Sequence, residues 1–144
     1  MQSYLIFLIP IIIAATVQIL KAIIDFIKGD FNFSSLYKYG GMPSGHAAFV
    51  ASALTMTWLT EGWNSPIFAL TILLSIIVIR DAISLRAYMG QHSKIINRLI
   101  TELPDDQEYD YPVLEERIGH TPIQVVAGLV TGIILTLIAS YIIS

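Results

Sequence analysis

SPIFALTILLSIIVIRDAISL, residues 65–85, carries no ionisable side chain until Arg80 and Asp81. About 20 apolar residues are what a helix needs to cross a hydrocarbon core roughly 30 Å thick. Pro66 suits the first turn of such a helix, where its missing N–H has no intrahelical partner to lose. A helix starting at Ser65 leaves Arg80 and Asp81 inside or at the edge of hydrocarbon, where charges are usually functional and paired. Neighbouring helix positions point about 100° apart, so the two are expected to find different partners. An anionic group for Arg80 and a histidine or lysine for Asp81 are the expected ones; the competing reading is a structural ion pair between helices.

Residues 4–27, 44–60 and 121–143 are apolar stretches of comparable length. Open sheet edges cannot exist in lipid, and these stretches are too long for barrel strands of about ten residues. The expected fold is therefore all-α: a polytopic membrane bundle of four transmembrane helices forming a single domain over residues 1–144. Composition agrees, since 55% of the 144 residues are hydrophobic and only 13% charged, against roughly a quarter charged in a soluble domain. The absence of cysteine excludes a disulfide framework and a thiolate metal site. A net charge of -3 with no dense basic run argues against nucleic acid as a partner.

Between the third and fourth spans, Met89, Ile95, Ile96, Leu99, Ile100 and Leu103 recur at helical spacing among Lys94, Arg98 and Glu102. This pattern predicts an amphipathic helix over residues 88–103, lying in the interface or packed on the bundle. His92 on that helix has no second motif beside it and is read as a surface residue. The loop ELPDDQEYDYPVLEER, residues 102–117, is acidic but lacks the alternating ligands around a glycine that a calcium loop needs, so no metal is expected there. Gly128 and Gly132 lie four residues apart and let another helix approach closely, either within the chain or across a homo-oligomer seam.

Four alternating spans put both termini and the turn at 61–64 on one face, and both longer connections on the other. Lys21, Lys28, Lys38, Arg80, Arg86, Lys94, Arg98 and Arg117 all fall on or near the second face. The positive-inside rule then predicts a multi-pass cell-membrane protein with that face in the cytoplasm and both termini opposite.

Four polar segments meet at that face: the end of the first span with Lys21 and Lys28, MPSGH before the second, RDAISLR after the third, and GHTP before the fourth. Two of the helices begin there, and each helix start offers free N–H groups and the positive end of its dipole. With lysine and arginine added, the pocket suits phosphate, and the expected ligand is an anionic lipid headgroup in the bilayer. His46 and His120 stand at the two helix starts. A lone histidine there would more often cap or pack; a pair beside basic residues can divide nucleophilic attack and protonation of a leaving oxygen.

These residues resemble the type 2 phosphatidic acid phosphatase superfamily, which includes the vanadium haloperoxidases, and within it the small, divergent bacterial and plant-plastid branch. GGMPSGHAAF, residues 40–49, looks like the superfamily's central motif. The resemblance implies phosphate binding by Ser44 and Gly45 and a general-acid role for His46. KAIIDFIK, residues 21–28, has the spacing of the first motif and implies phosphate-binding roles for Lys21 and Lys28, although Gly29 follows where relatives carry proline. GHTPIQ implies that His120 is the nucleophile and puts Gln124 at the position of an orienting aspartate. Leu114 stands where relatives carry arginine, and Arg117 is out of register. Phosphate binding is then expected to fall to Arg80 or Arg86, with Asp81 able to compensate for the lost carboxylate.

The function expected is hydrolysis of a lipid phosphomonoester or pyrophosphate through a phosphohistidine, with no metal and no cofactor. The alternative is binding or transport of a phosphorylated lipid without turnover, favoured by Gln124 and Leu114.

Overall fold

The computed structural model describes residues 4–27, 29, 42–103, 110–116 and 118–143. The described residues contain helices and no strands. They form α1 (Leu5–Ile27), α2 (Gly45–Glu61), α3 (Pro66–Arg80), a π-helical turn (Asp81–Leu85), α4 (Arg86–Thr101) and α5 (Pro122–Ile143). Lys28, Lys38 and Arg117 lie outside the described residues.

α2 is the central helix, packed against α1, α5 and α3, while α1 also touches α5. α1 contributes Leu5, Ile9, Ile13 and Val17 to the core, where they meet Ala48 and Met56 of α2 and Leu135 and Ala139 of α5. The four-residue spacing places the α1 side chains on one slowly drifting stripe, and Lys21 is its next member, only 7% exposed. The face that builds the core thus delivers a lysine to the end where α2 and α5 begin.

α5 meets α2 through its glycines. A Cβ on Gly128 would collide with Ser44 O and Ala47 Cβ, and one on Gly132 with Ala48 O and Cα. Farther along, the Ser52 and Thr136 hydroxyls hydrogen-bond across the seam at 2.7 Å. Close backbone approach of this kind is how helices pack without a hydrophobic driving force between them. Gly128 and Gly132 are buried in this internal seam, the within-chain one of the two close approaches that their spacing allows.

Among the described residues, three helical runs are long and apolar enough to cross a membrane: Leu5–Ile24, Pro66–Thr101 and Pro122–Ile143. α2 has 17 residues and is about 25 Å long at 1.5 Å per residue. Its interior threonines return their hydroxyls to the helix, Thr55 to Ala51 O at 2.8 Å and Thr57 to Ala53 O at 2.6 Å. Their polar atoms are satisfied away from water, as a helix at the centre of a membrane bundle requires.

The third span and the amphipathic helix, expected as separate elements, are one helical run of 36 residues. At about 54 Å it exceeds the roughly 30 Å hydrocarbon core, so it cannot lie wholly within it. The apolar stripe of α4 is open, with Met89, Ile95, Ile96 and Leu99 exposed. Gly90 and Ser93 are buried, and Gly90 and Asn97 meet Leu114, Glu116 and Ile118, so α4 is packed there on the chain that leads into α5. His92 is exposed, as the sequence suggested.

Candidate functional site

Ser44 is the N-cap of α2, 0% exposed, and its Oγ accepts from Ala47 N at 3.4 Å. Its own N–H donates to Gln124 O at 3.1 Å, tying the start of α2 to the first turn of α5. The Ser44 hydroxyl thus caps α2 through its oxygen and keeps its O–H as a donor. Gly45 and His46 follow as the first helical residues, where amide groups face the open helix end and the dipole favours an anion.

His120 stands just before α5. The Thr121–Gln124 pair forms a capping box: Thr121 N donates to Gln124 Oε1 at 3.0 Å, and Gln124 N donates to Thr121 Oγ1 at 3.4 Å. A backbone N–H can only donate, so the first bond fixes which end of the Gln124 amide is oxygen. The same Oε1 lies 3.4 Å from His120 Nδ1. An oxygen can only accept there, so Nδ1 carries the proton and Nε2 keeps its lone pair. Gln124 accordingly stands where the expected orienting group should, but its shorter bond serves the helix cap.

The two imidazoles face each other with ring centroids 6.2 Å apart and planes tilted by 59°. They are tilted and not stacked. The charges of Lys21 and Arg86 act on both histidines, and that of Asp81 on His46. Burial lowers the His120 pKa; the Gln124 hydrogen bond acts in the opposite sense, and the charges of His46, Lys21 and Arg86 lower it further. The neutral imidazole, the form that can attack phosphorus, is therefore favoured.

The π-helical turn decides which arginine joins this group. Arg86 N donates to Asp81 O five residues back, and the wider turn brings their side chains together, Nε to Oδ2 at 3.0 Å. In a regular α-helix, positions five apart would be about 140° apart on the helix face. Asp81 therefore pairs with Arg86, and its charge also acts on His46, one of the histidines expected for it; it is not among the charges that act on His120. Arg80 is exposed on α3, on the side opposite Ser75, the buried residue of that helix. The structure brings Lys21, Ser44, Gly45, His46, Arg86, His120 and Gln124 together and leaves Arg80 outside; Lys28 is not among the described residues.

Sequence reading missed the backbone support of His120. Its N–H donates to Ala82 O in the π turn at 3.1 Å, and Gly119 packs on α4 so closely that a Cβ would come within 3.0 Å of Ala87 N. The Gly119 φ of +114° is open to glycine and strained for other residues. Small residues at 82, 87, 90 and 119 were the signal that could have found this contact. Among the described residues, no cluster of three or more acidic, histidine or cysteine side chains is suited to holding a metal.

No solved structure matches the chain. An uncharacterized membrane protein, YuiD of Bacillus subtilis (strain 168), is 33% identical over 136 residues, covering 86% of each chain. Residues 3–135 match the divergent PAP2 family. The paired histidines at two helix starts, with a lysine and an arginine beside them, are carried by a membrane protein that belongs to the divergent PAP2 family.

Proposed function

We propose that this protein is a membrane phosphatase that hydrolyses a lipid phosphomonoester or pyrophosphate at the cytoplasmic face of the cell membrane. The observation that carries the proposal is the His46–His120 pair, 6.2 Å between centroids, with Lys21 and Arg86 acting on both rings. Phosphoryl transfer asks mainly for positioning and charge stabilisation, which fixed cations and a helix N-terminus supply.

His120 Nε2 attacks phosphorus with its lone pair while Nδ1–H is held by Gln124 Oε1. The bond from phosphorus to the leaving oxygen breaks, and that oxygen takes the bond's electron pair and a proton from His46. Water then attacks the phosphohistidine, giving a proton to the now neutral His46. The P–N bond breaks, its electrons return to Nε2, and phosphate leaves. Lys21, Arg86 and the Gly45 amide neutralise the equatorial oxygens.

The cytoplasmic orientation rests on the basic residues at the site end of the bundle, against a turn at 62–65 that has none. A second reading, binding of a phosphorylated lipid without turnover, is favoured by Gln124, a neutral residue engaged at 3.0 Å with the helix cap. Phosphate release from a panel of lipid phosphates and diphosphates by the purified protein tests the proposal, with His120→Ala as control. Release lost in the variant supports the phosphatase. Headgroup binding that persists in His120→Ala, with no release by either protein, supports the second reading.

A further inference from the structure

Residues 114–116 and 118–120 run along the π turn and α4, away from the open apolar stripe. The contacts fall on Ala82, Arg86, Gly90 and Asn97, spaced by four, four and seven residues and so on one helix face. At the far end Asn97 forms a two-point clamp on the backbone of Leu114: Nδ2 donates to Leu114 O at 2.8 Å, and Leu114 N donates to Oδ1 at 2.9 Å. Nδ2 also donates to Glu116 Oε1 at 2.9 Å. Two turns nearer the site, a Cβ on Gly90 would lie 2.5 Å from Glu116 O and 3.4 Å from Ile118 N. Ser93 between them is buried. At the near end Gly119 lies on Arg86 and Ala87, and His120 N donates to Ala82 O at 3.1 Å.

Every described contact along this strap fixes its height on the helix, and the strap ends at His120. The geometry points to Asn97 and Gly90 as positioning residues that set His120 against His46, with α4 serving as the scaffold that carries the strap. Arg86 belongs to the same helix face, so one rigid run presents both the arginine and the support for the histidine. The inference rests on the phosphatase reading for its catalytic consequence, while the placement of His120 can be tested without it. Displacement of a reacting group by about 1 Å can cost on the order of 100-fold in rate.

The test compares the full chain in lipid nanodiscs with Asn97→Ala, which removes the clamp, and Gly90→Ala, which forces the strap outward. The first readout is diethylpyrocarbonate modification of His120 relative to the exposed His92, followed by mass spectrometry. The second is phosphate release from the lipid phosphate panel. The expected result is a several-fold rise in the His120 to His92 modification ratio in both variants. Where the wild type turns over, kcat should fall about 10- to 100-fold with KM changed less than about threefold, and Asn97→Gln, which keeps both amide functions, should recover part of the loss. A ratio that stays at the wild-type value in both variants overturns the inference. Wild-type protein that releases no phosphate sinks the phosphatase reading alone, because the modification ratio still decides whether the strap places His120.

Discussion

Asp81 and Arg86 form an ion pair at 3.0 Å across the π-helical turn that joins α3 to α4. The turn supplies the extra residue per winding that lets positions five apart share a face, and it aims Arg86 at the histidines while Arg80 faces outward. A single local change of helix type thus selects one of two arginines for the site. It also leaves Ala82 O in reach of His120 N.

The first prediction separates those arginines. Arg86→Ala should lower kcat/KM by about 100- to 1,000-fold, the usual cost of removing one donor to a developing anion. Arg80→Ala should leave kcat/KM within about threefold of wild type. Steady-state hydrolysis of one lipid phosphate by both variants decides it, and the reverse order would put the wrong arginine in the site.

The second concerns pH. Attack requires neutral His120, and burial lowers its pKa, so the neutral form persists below the ordinary value of about 6.5. The acid limb of kcat/KM should therefore bend below about pH 6.5. Gln124→Glu keeps an oxygen for Thr121 N and adds a negative charge that favours the imidazolium, so it should move that limb to higher pH. It should also raise kcat at least roughly tenfold, a fraction of the ~10⁴ lost when the serine-protease triad's carboxylate is neutralised. A limb that does not move in Gln124→Glu would separate Gln124 from His120.

The third concerns the α2–α5 seam. Gly132→Ala places a Cβ against Ala48 O and Cα, both backbone atoms that cannot move independently, and should destabilise the bundle by about 1–3 kcal/mol. Unfolding in mixed micelles measures the loss, and analytical ultracentrifugation should show an unchanged oligomeric state. A changed oligomeric state with undiminished stability would place the glycines in a contact between copies.

Orientation gives the fourth. The chain has no cysteine, so single cysteines report their own side. In intact cells, Asn64→Cys should react with a membrane-impermeant maleimide, whereas Val113→Cys, at a position 88% exposed, should react only after lysis. The opposite pattern would invert the bundle.

Much of this architecture is legible in the sequence because lipid imposes long apolar runs and because capping has a short-range signature. MPSGH and GHTPIQ announce two helix starts with their histidines, and Thr121 with Gln124 spells a capping box. Lys21 extends the stripe Leu5, Ile9, Ile13, Val17, so its placement follows from spacing. The π turn is different: DAISL contains no glycine or proline, and one extra residue per winding leaves no mark in composition. For the same reason Arg80 could not be told from Arg86. The glycines of α5 announce a close approach but not its partner, which is a property of two helices together. The polar face of α4 reads as a solvated surface until the strap that covers it is seen.

The most direct measurement is transfer of the phosphoryl group to His120 itself. Purified protein mixed with a radiolabelled lipid phosphate and quenched in base should carry label on the peptide containing His120, and the label should be lost in acid, as a phosphoramidate requires. His120→Ala should carry none and release no phosphate. Steady phosphate release from His120→Ala at the wild-type rate would contradict the assignment of His120 as the nucleophile.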